Sequence, residues 1–201
     1  MKQEKLRTKN FKLGEFHGKL NPEKSDSEAK MQNDIFLVGK IGLMHTLKDI
    51  TEIKLIAKEM PLMGDVSRGR CIDLFGIDKN WTPYIIELKL GSNTELLAKV
   101  VKQVTDYSLL FDKIKARIEI EMREKLYYKG FKFNGDVKKV ILSEKKFYGN
   151  LKLTSQTYKS YSNLYMCTFY RTASIKGSDD NINLLDRKKN SGLIRLGILN
   201  K

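Results

Sequence analysis

Apolar residues fall in short runs whose period changes along the chain. Two runs of strand length, Cys71-Ile72-Asp73-Leu74-Phe75-Gly76-Ile77 and Tyr84-Ile85-Ile86-Glu87-Leu88-Lys89-Leu90, flank the polar stretch Asp78-Lys79-Asn80-Trp81-Thr82. A loop of about five residues between two such runs predicts a β-hairpin. Residues 94–111 switch to helical spacing: Leu96, Leu97, Val100, Val101, Val104 and Ser108 recur three and four apart, with no Gly or Pro among them. A helix-like run covers 25–47, which Ser25 or Ser27 could cap. Residues 164–170 read as a strand of the same sheet, and 171–192 read as a polar loop. The apolar end at 193–199 can dock on its own core or on a second copy, which leaves a homodimer open.

The hairpin carries charges where apolar residues are expected. An unpaired buried carboxylate costs several kcal/mol, so Asp73, Glu87 and Lys89 call for a reason. If Ile77 pairs with Pro83, Phe75 faces Ile85 and Asp73 faces Glu87. Opposed residues have Cβ atoms roughly 4.5–5.5 Å apart, within reach of one divalent cation. Alternation puts Glu87 and Lys89 on one face and Leu88 on the other. Oxygen ligands of this kind suit Mg²⁺, which keeps several waters and accepts one or two carboxylates plus a substrate phosphate. A half-buried hairpin with a Glu–Lys surface pair has the same spacing. The Glu-x-Lys tripeptide alone decides nothing, since it also occurs at Glu28, Glu52 and Glu144. Only at Glu87 does it sit in an apolar strand that follows an aspartate-bearing one.

Composition adds a partner class. The chain has 201 residues, 41% of them hydrophobic, enough for one sizeable core. Lys and Arg number 38 against 24 acidic residues, a formal charge of +14 that favours a polyanion. A lysine-rich source would produce the same excess in a protein of any function. Residues 1–24 form a basic arm without the apolar stretch of a signal peptide, and no run reaches transmembrane length. Cys71 and Cys167 read as buried thiols, consistent with a reducing cytoplasm. His17 and His45 stand isolated, which argues against zinc. Aromatics interleave with lysines at Tyr127, Tyr128, Phe131, Phe133, Phe147 and Tyr148, a pattern that suits base stacking or plain core packing.

Asp73, Glu87-Leu88-Lys89 and Gln103-Val104-Thr105-Asp106-Tyr107, in that order, resemble the PD-(D/E)xK nuclease superfamily, in particular its RecB-like and NucS-like branches with a Q-x-x-x-Y motif. On that resemblance, residues 53–62 are the first core strand and 137–142 the strand after the helix, so the likeness covers about 50–145. It implies an α/β domain over 25–201 with a restriction-endonuclease-like central mixed β-sheet flanked by helices. It also implies a Mg²⁺- or Mn²⁺-dependent endonuclease, hydrolysing phosphodiester bonds in DNA, or RNA by the same chemistry, in restriction, repair or defence. Asp73 and Glu87, with the Leu88 carbonyl, would hold the metal. Lys89 would position or deprotonate the attacking water, and Gln103, supported by Tyr107, would orient Lys89 or a phosphate. Glu28, an early-helix acid, and Glu59, on the first strand, are further acidic candidates. Arg68 and Arg70 are candidate phosphate contacts. Ile72 stands where many members have Pro. The alternative is a non-catalytic nucleic-acid-binding protein with a nuclease-like fold.

Overall fold

The polar turn between the two apolar runs closes a hairpin, and the rest of the sheet grows outward from it. The computed structural model describes residues 28–62, 71–125, 129–149, 163–169 and 194–199. In chain order these form α1 (Glu28–Val38), β1 (Lys40–Met44), β2 (Ile50–Pro61), β3 (Cys71–Asp78), β4 (Pro83–Lys89), α2 (Leu97–Lys125), β5 (Lys138–Ser143), α3 (Lys145–Tyr148), β6 (Leu164–Phe169) and β7 (Ile194–Ile198). The basic arm, with Arg68, Arg70, Tyr127 and Tyr128, lies outside the described residues.

Strands β1 to β4 run antiparallel in sequence order. Helix α2 then carries the chain back, so β5 lies parallel to β4, and β6 lies parallel to β5. Strand β7 pairs antiparallel with β6 and parallel with β1, which closes the sheet into a seven-stranded barrel. The expected open sheet flanked by helices is therefore corrected to a mixed α/β fold built on a closed barrel. The reason lies in residues 194–198: Ile194 and Leu196 point into the barrel between β6 and β1 while Arg195 stays exposed. This apolar segment docks on its own sheet.

The 25–47 helix is also shorter than its pattern suggested. Helix α1 stops at Val38, and Gly39, at φ +79°, turns the chain into β1. Ile41 and Leu43 then alternate inward with Lys40 and Gly42. A positive φ strains residues with a Cβ, so the glycine marks the break.

Two apolar layers result. Every strand contributes to the barrel interior, with Ile41, Ile53, Leu74, Ile86, Val140, Cys167 and Leu196 all buried, and Ile35 of α1 joins them. On the outer face of β3 to β6, α2 lays Val100, Val104, Tyr107, Phe111, Ile114 and Ile118 over Phe75, Ile85 and Ile141. A bulge in β2 between Leu55 and Ala57 breaks the alternation and sets Ala57 in this outer layer beside Ile56. Phe131 and Phe133 are buried beside Phe75 and Phe111, and Tyr148 is buried too. Those aromatics pack the core and are not surfaces for base stacking. No described helix is long and apolar enough to cross a membrane.

Candidate active site

The hairpin takes the register on which a converging site depends: Ile77 pairs with Pro83 and Phe75 with Ile85. Asp78 organises the turn, its Oδ1 accepting from the amides of Asn80 (2.8 Å) and Thr82 (3.0 Å). Pairing ends at Leu74–Ile86, however, one residue short of the expected Asp73–Glu87 pair. On the other side, the β2–β3 register passes from Lys58–Leu74 to Met60–Ile72 without Asp73, and Glu59 there takes φ +49°.

Asp73 thus lacks a ladder partner on both sides, and side chains do the ladder's work. Leu88 N–H donates to Asp73 Oδ2 at 2.7 Å, and Gln32 Nε2 of α1 donates to the Asp73 carbonyl at 2.6 Å. Buried main-chain groups must find partners. Satisfying them from side chains lets the strands part at this point.

Strand β4 presents Glu87 and Lys89 on the face that α2 covers, while Ile86 and Leu88 point into the barrel. Lys89 Nζ donates to Glu87 Oε1 at 2.8 Å. It also lies 3.5 Å from Glu95 Oε2 and 3.8 Å from Glu28 Oε1. Glu87 is only 2% exposed, and its Oε2 is buried with no hydrogen-bond partner. Such a group is expensive unless something meets it.

Neighbouring elements fix the end of β4. The Ser143 hydroxyl of β5 donates to the Lys89 carbonyl at 2.5 Å. Gly91 N–H donates to Glu144 Oε2 at 3.0 Å, and a Cβ at Gly91 would collide with that carboxylate. On α2, Gln103 Nε2 donates to the Tyr107 hydroxyl at 3.0 Å. Both line an open groove with Glu95, Lys99, Lys102 and Asp106.

The electrostatics are unbalanced. Burial pushes the Asp73 carboxyl well above its ordinary range, and the Glu87 charge pushes it further; the Leu88 amide only partly offsets this. Burial likewise raises Glu87, opposed by the Lys89 ammonium. Burial pulls Lys89 down, but the Glu87, Glu28 and Asp73 charges outweigh it, so Lys89 is held protonated. Burial raises the Tyr107 hydroxyl; the Gln103 hydrogen bond opposes this, and the charges of Glu87 and Asp73 add to the rise.

Asp73, Glu87, Lys89 and Glu28 therefore gather at one place, and Tyr107 lines the groove beside Glu95. Gln103 reaches the same groove through Tyr107. Glu59 stands across from Asp73, between the Lys58–Leu74 and Met60–Ile72 pairs, and its charge bears on Lys58 and, together with that of Asp73, on the Cys71 thiol. Sequence reasoning missed Glu95, Gln32 and Ser143. A helix-start acid such as Glu95 ordinarily reads as a dipole partner, and only the fold brings it to Lys89. Among the described residues, no group of three or more His, Cys, Asp or Glu side chains is arranged as a metal cage. No protein-family model matches the chain, and comparison with curated proteins and with solved structures gives no significant match.

Proposed function

We propose that the chain is a Mg²⁺- or Mn²⁺-dependent endonuclease acting on DNA through Asp73, Glu87 and Lys89. One observation carries this reading. Two carboxylates with raised pKa values, the buried Glu87 and the half-buried Asp73, flank the point where the β3–β4 pairing ends, and Glu87 Oε2 is left without a donor beside them. A hard divalent cation supplies what both acids lack. The donor set suits such an ion in kind: the carboxylates of Asp73 and Glu87 with the Leu88 carbonyl would hold it where the β3–β4 pairing ends. When bound, the cation would acidify a water and neutralise charge on the phosphodiester.

The chain's own residues have distinct tasks. Lys89, charged at neutral pH, donates a hydrogen bond to the attacking water or to a phosphate oxygen, and so orients rather than deprotonates. Ser143 and Gln32 hold the backbones of Lys89 and Asp73 in place. Gln103 and Tyr107 line the groove through which a strand would pass. The order β2, β3, β4, α2, β5 follows the strand and helix order of restriction-endonuclease-like cores, while closure through β6, β7 and β1 departs from it. The charge of +14 supports a nucleic-acid substrate.

The test is cleavage of single- and double-stranded DNA and RNA with Mg²⁺, Mn²⁺ or EDTA, for wild type and for Asp73→Ala, Glu87→Ala and Lys89→Ala, each checked for folding. Metal-dependent cutting lost in all three variants supports the nuclease. Binding that is indifferent to EDTA, without cutting, would replace it with the binding-protein reading.

A further inference from the structure

The Lys89 ammonium sits among three carboxylates brought by three separate parts of the chain. Glu87 on β4 is at 2.8 Å, Glu95 just ahead of α2 at 3.5 Å, and Glu28 at the start of α1 at 3.8 Å. Only the Glu87 contact is a hydrogen bond, and it occupies Oε1 while Oε2 stays unmet. Glu95 and Glu28 have side chains 35% and 36% exposed, against 3% for Glu87. One cation thus has a buried seat and two neighbouring seats at the rim.

A divalent cation on Asp73 and Glu87 would face that ammonium at close range. Like charges a few ångströms apart in a poorly hydrated site repel strongly. The lysine can move its head, since a four-carbon stem carries three rotatable donors.

We propose that Glu95, with Glu28 beside it, is a receiving counter-ion that takes over the Lys89 ammonium when a divalent cation loads onto Glu87. This rests on the metal-dependent reading above. Glu95 is then a positioning residue: it acts through Lys89 and sets the affinity of the site for its cation.

The test is a double-mutant cycle read as cation affinity, independent of cleavage. Mn²⁺ and Mg²⁺ are titrated calorimetrically into the full chain as wild type, Glu95→Gln, Lys89→Met and the double variant, with folding checked by circular dichroism. Lys89→Gln serves if Lys89→Met does not fold. Glu95→Gln should weaken binding on the order of tenfold. Lys89→Met should tighten it, because the competing cation is gone. In the Lys89→Met background, Glu95→Gln should then change affinity by no more than about twofold. A Glu95→Gln penalty that persists in full without Lys89 makes Glu95 a direct ligand and overturns the proposal, as does no penalty in the wild-type background. A wild type that binds neither cation overturns the metal-dependent reading itself, and this inference falls with it.

Discussion

The amide of Leu88 donates to the Asp73 carboxylate at 2.7 Å, and the β3–β4 ladder stops one residue before it would have paired Asp73 with Glu87. A side chain has replaced a main-chain partner at the point where two acids need room between them. Asp73 therefore has a structural task and a chemical one, and the two can be separated.

Asp73→Asn keeps an oxygen for Leu88 and removes the charge. Because burial raises the Asp73 pKa above its unfolded value, the native state binds the extra proton. The group then favours folding below the unfolded pKa of roughly 3.9 and loses that contribution as pH rises through the folded value. Without metal, the variant should match wild type near pH 4 and become the more stable of the two as pH rises. Urea unfolding across pH measures the difference; a gap that narrows with rising pH contradicts the account.

Saturating Mg²⁺ should stabilise the wild type. At about 100-fold excess over the dissociation constant, the gain is about 2.7 kcal/mol, and in a domain of this size it raises the thermal midpoint by roughly 5–10 °C. EDTA should abolish the shift, and so should Glu87→Ala. An equal shift in Glu87→Ala would place the cation elsewhere.

The alkaline limb of a cleavage profile should not report Lys89. Its acidic neighbours hold its proton beyond the ordinary lysine range, so loss of that proton cannot limit the rate near pH 8–9. Single-turnover rates of wild type and Lys89→Arg should share any limb seen there. A limb at that pH that vanishes in Lys89→Arg would show the ammonium titrating much earlier.

Ser143→Ala removes the donor that meets the Lys89 carbonyl in a fully buried position. Leaving that oxygen unmet should destabilise the protein by about 1–3 kcal/mol. Cleavage should fall with it, since β4 is then free to shift. Chemical denaturation beside activity resolves the two effects.

Gly76→Ala should be more damaging than its small size suggests. The added Cβ would lie 2.6 Å from Ile53 Cγ2 and 2.8 Å from the Lys54 carbonyl, and backbone cannot step aside as a side-chain tip can. A loss on the order of 1–3 kcal/mol is expected, read in the same denaturation experiment.

The hairpin and the long helix were legible because period and turn chemistry are local signals, whereas the hairpin register was a condition that only the fold could meet. Asp78 in the turn, and the three- and four-residue spacing from Leu97 to Ser108, needed nothing from the rest of the chain. Past the 94–111 run α2 continues to Lys125, because Ile114, Ile118 and Met122 carry the buried stripe on beyond Phe111. Strand β1 was hidden inside a longer helix-like run, with Gly39 as the one clue. Barrel closure was illegible, since Ile194 and Leu196 state that a segment is half buried but not what it pairs with. In the site, Asp73, Glu87 and Lys89 stood out as charges inside apolar strands. Glu95 and Gln32 did not, because a polar residue just ahead of a helix or within one is unremarkable until the fold sets it beside a lysine or a stranded carbonyl.

The parallel pairing of β1 with β7 joins Ile41 to Ile194. Contacts between such distant positions are slow to form, because the intervening chain must first be gathered in. Until that last staple closes, the antiparallel meander would present a bare flank at β1, the kind of edge on which chains pair with one another. Closure thus also guards the protein against its neighbours: substitutions at Ile194 or Leu196 should show themselves first as poor yield during synthesis, before any change at the distant carboxylates is felt.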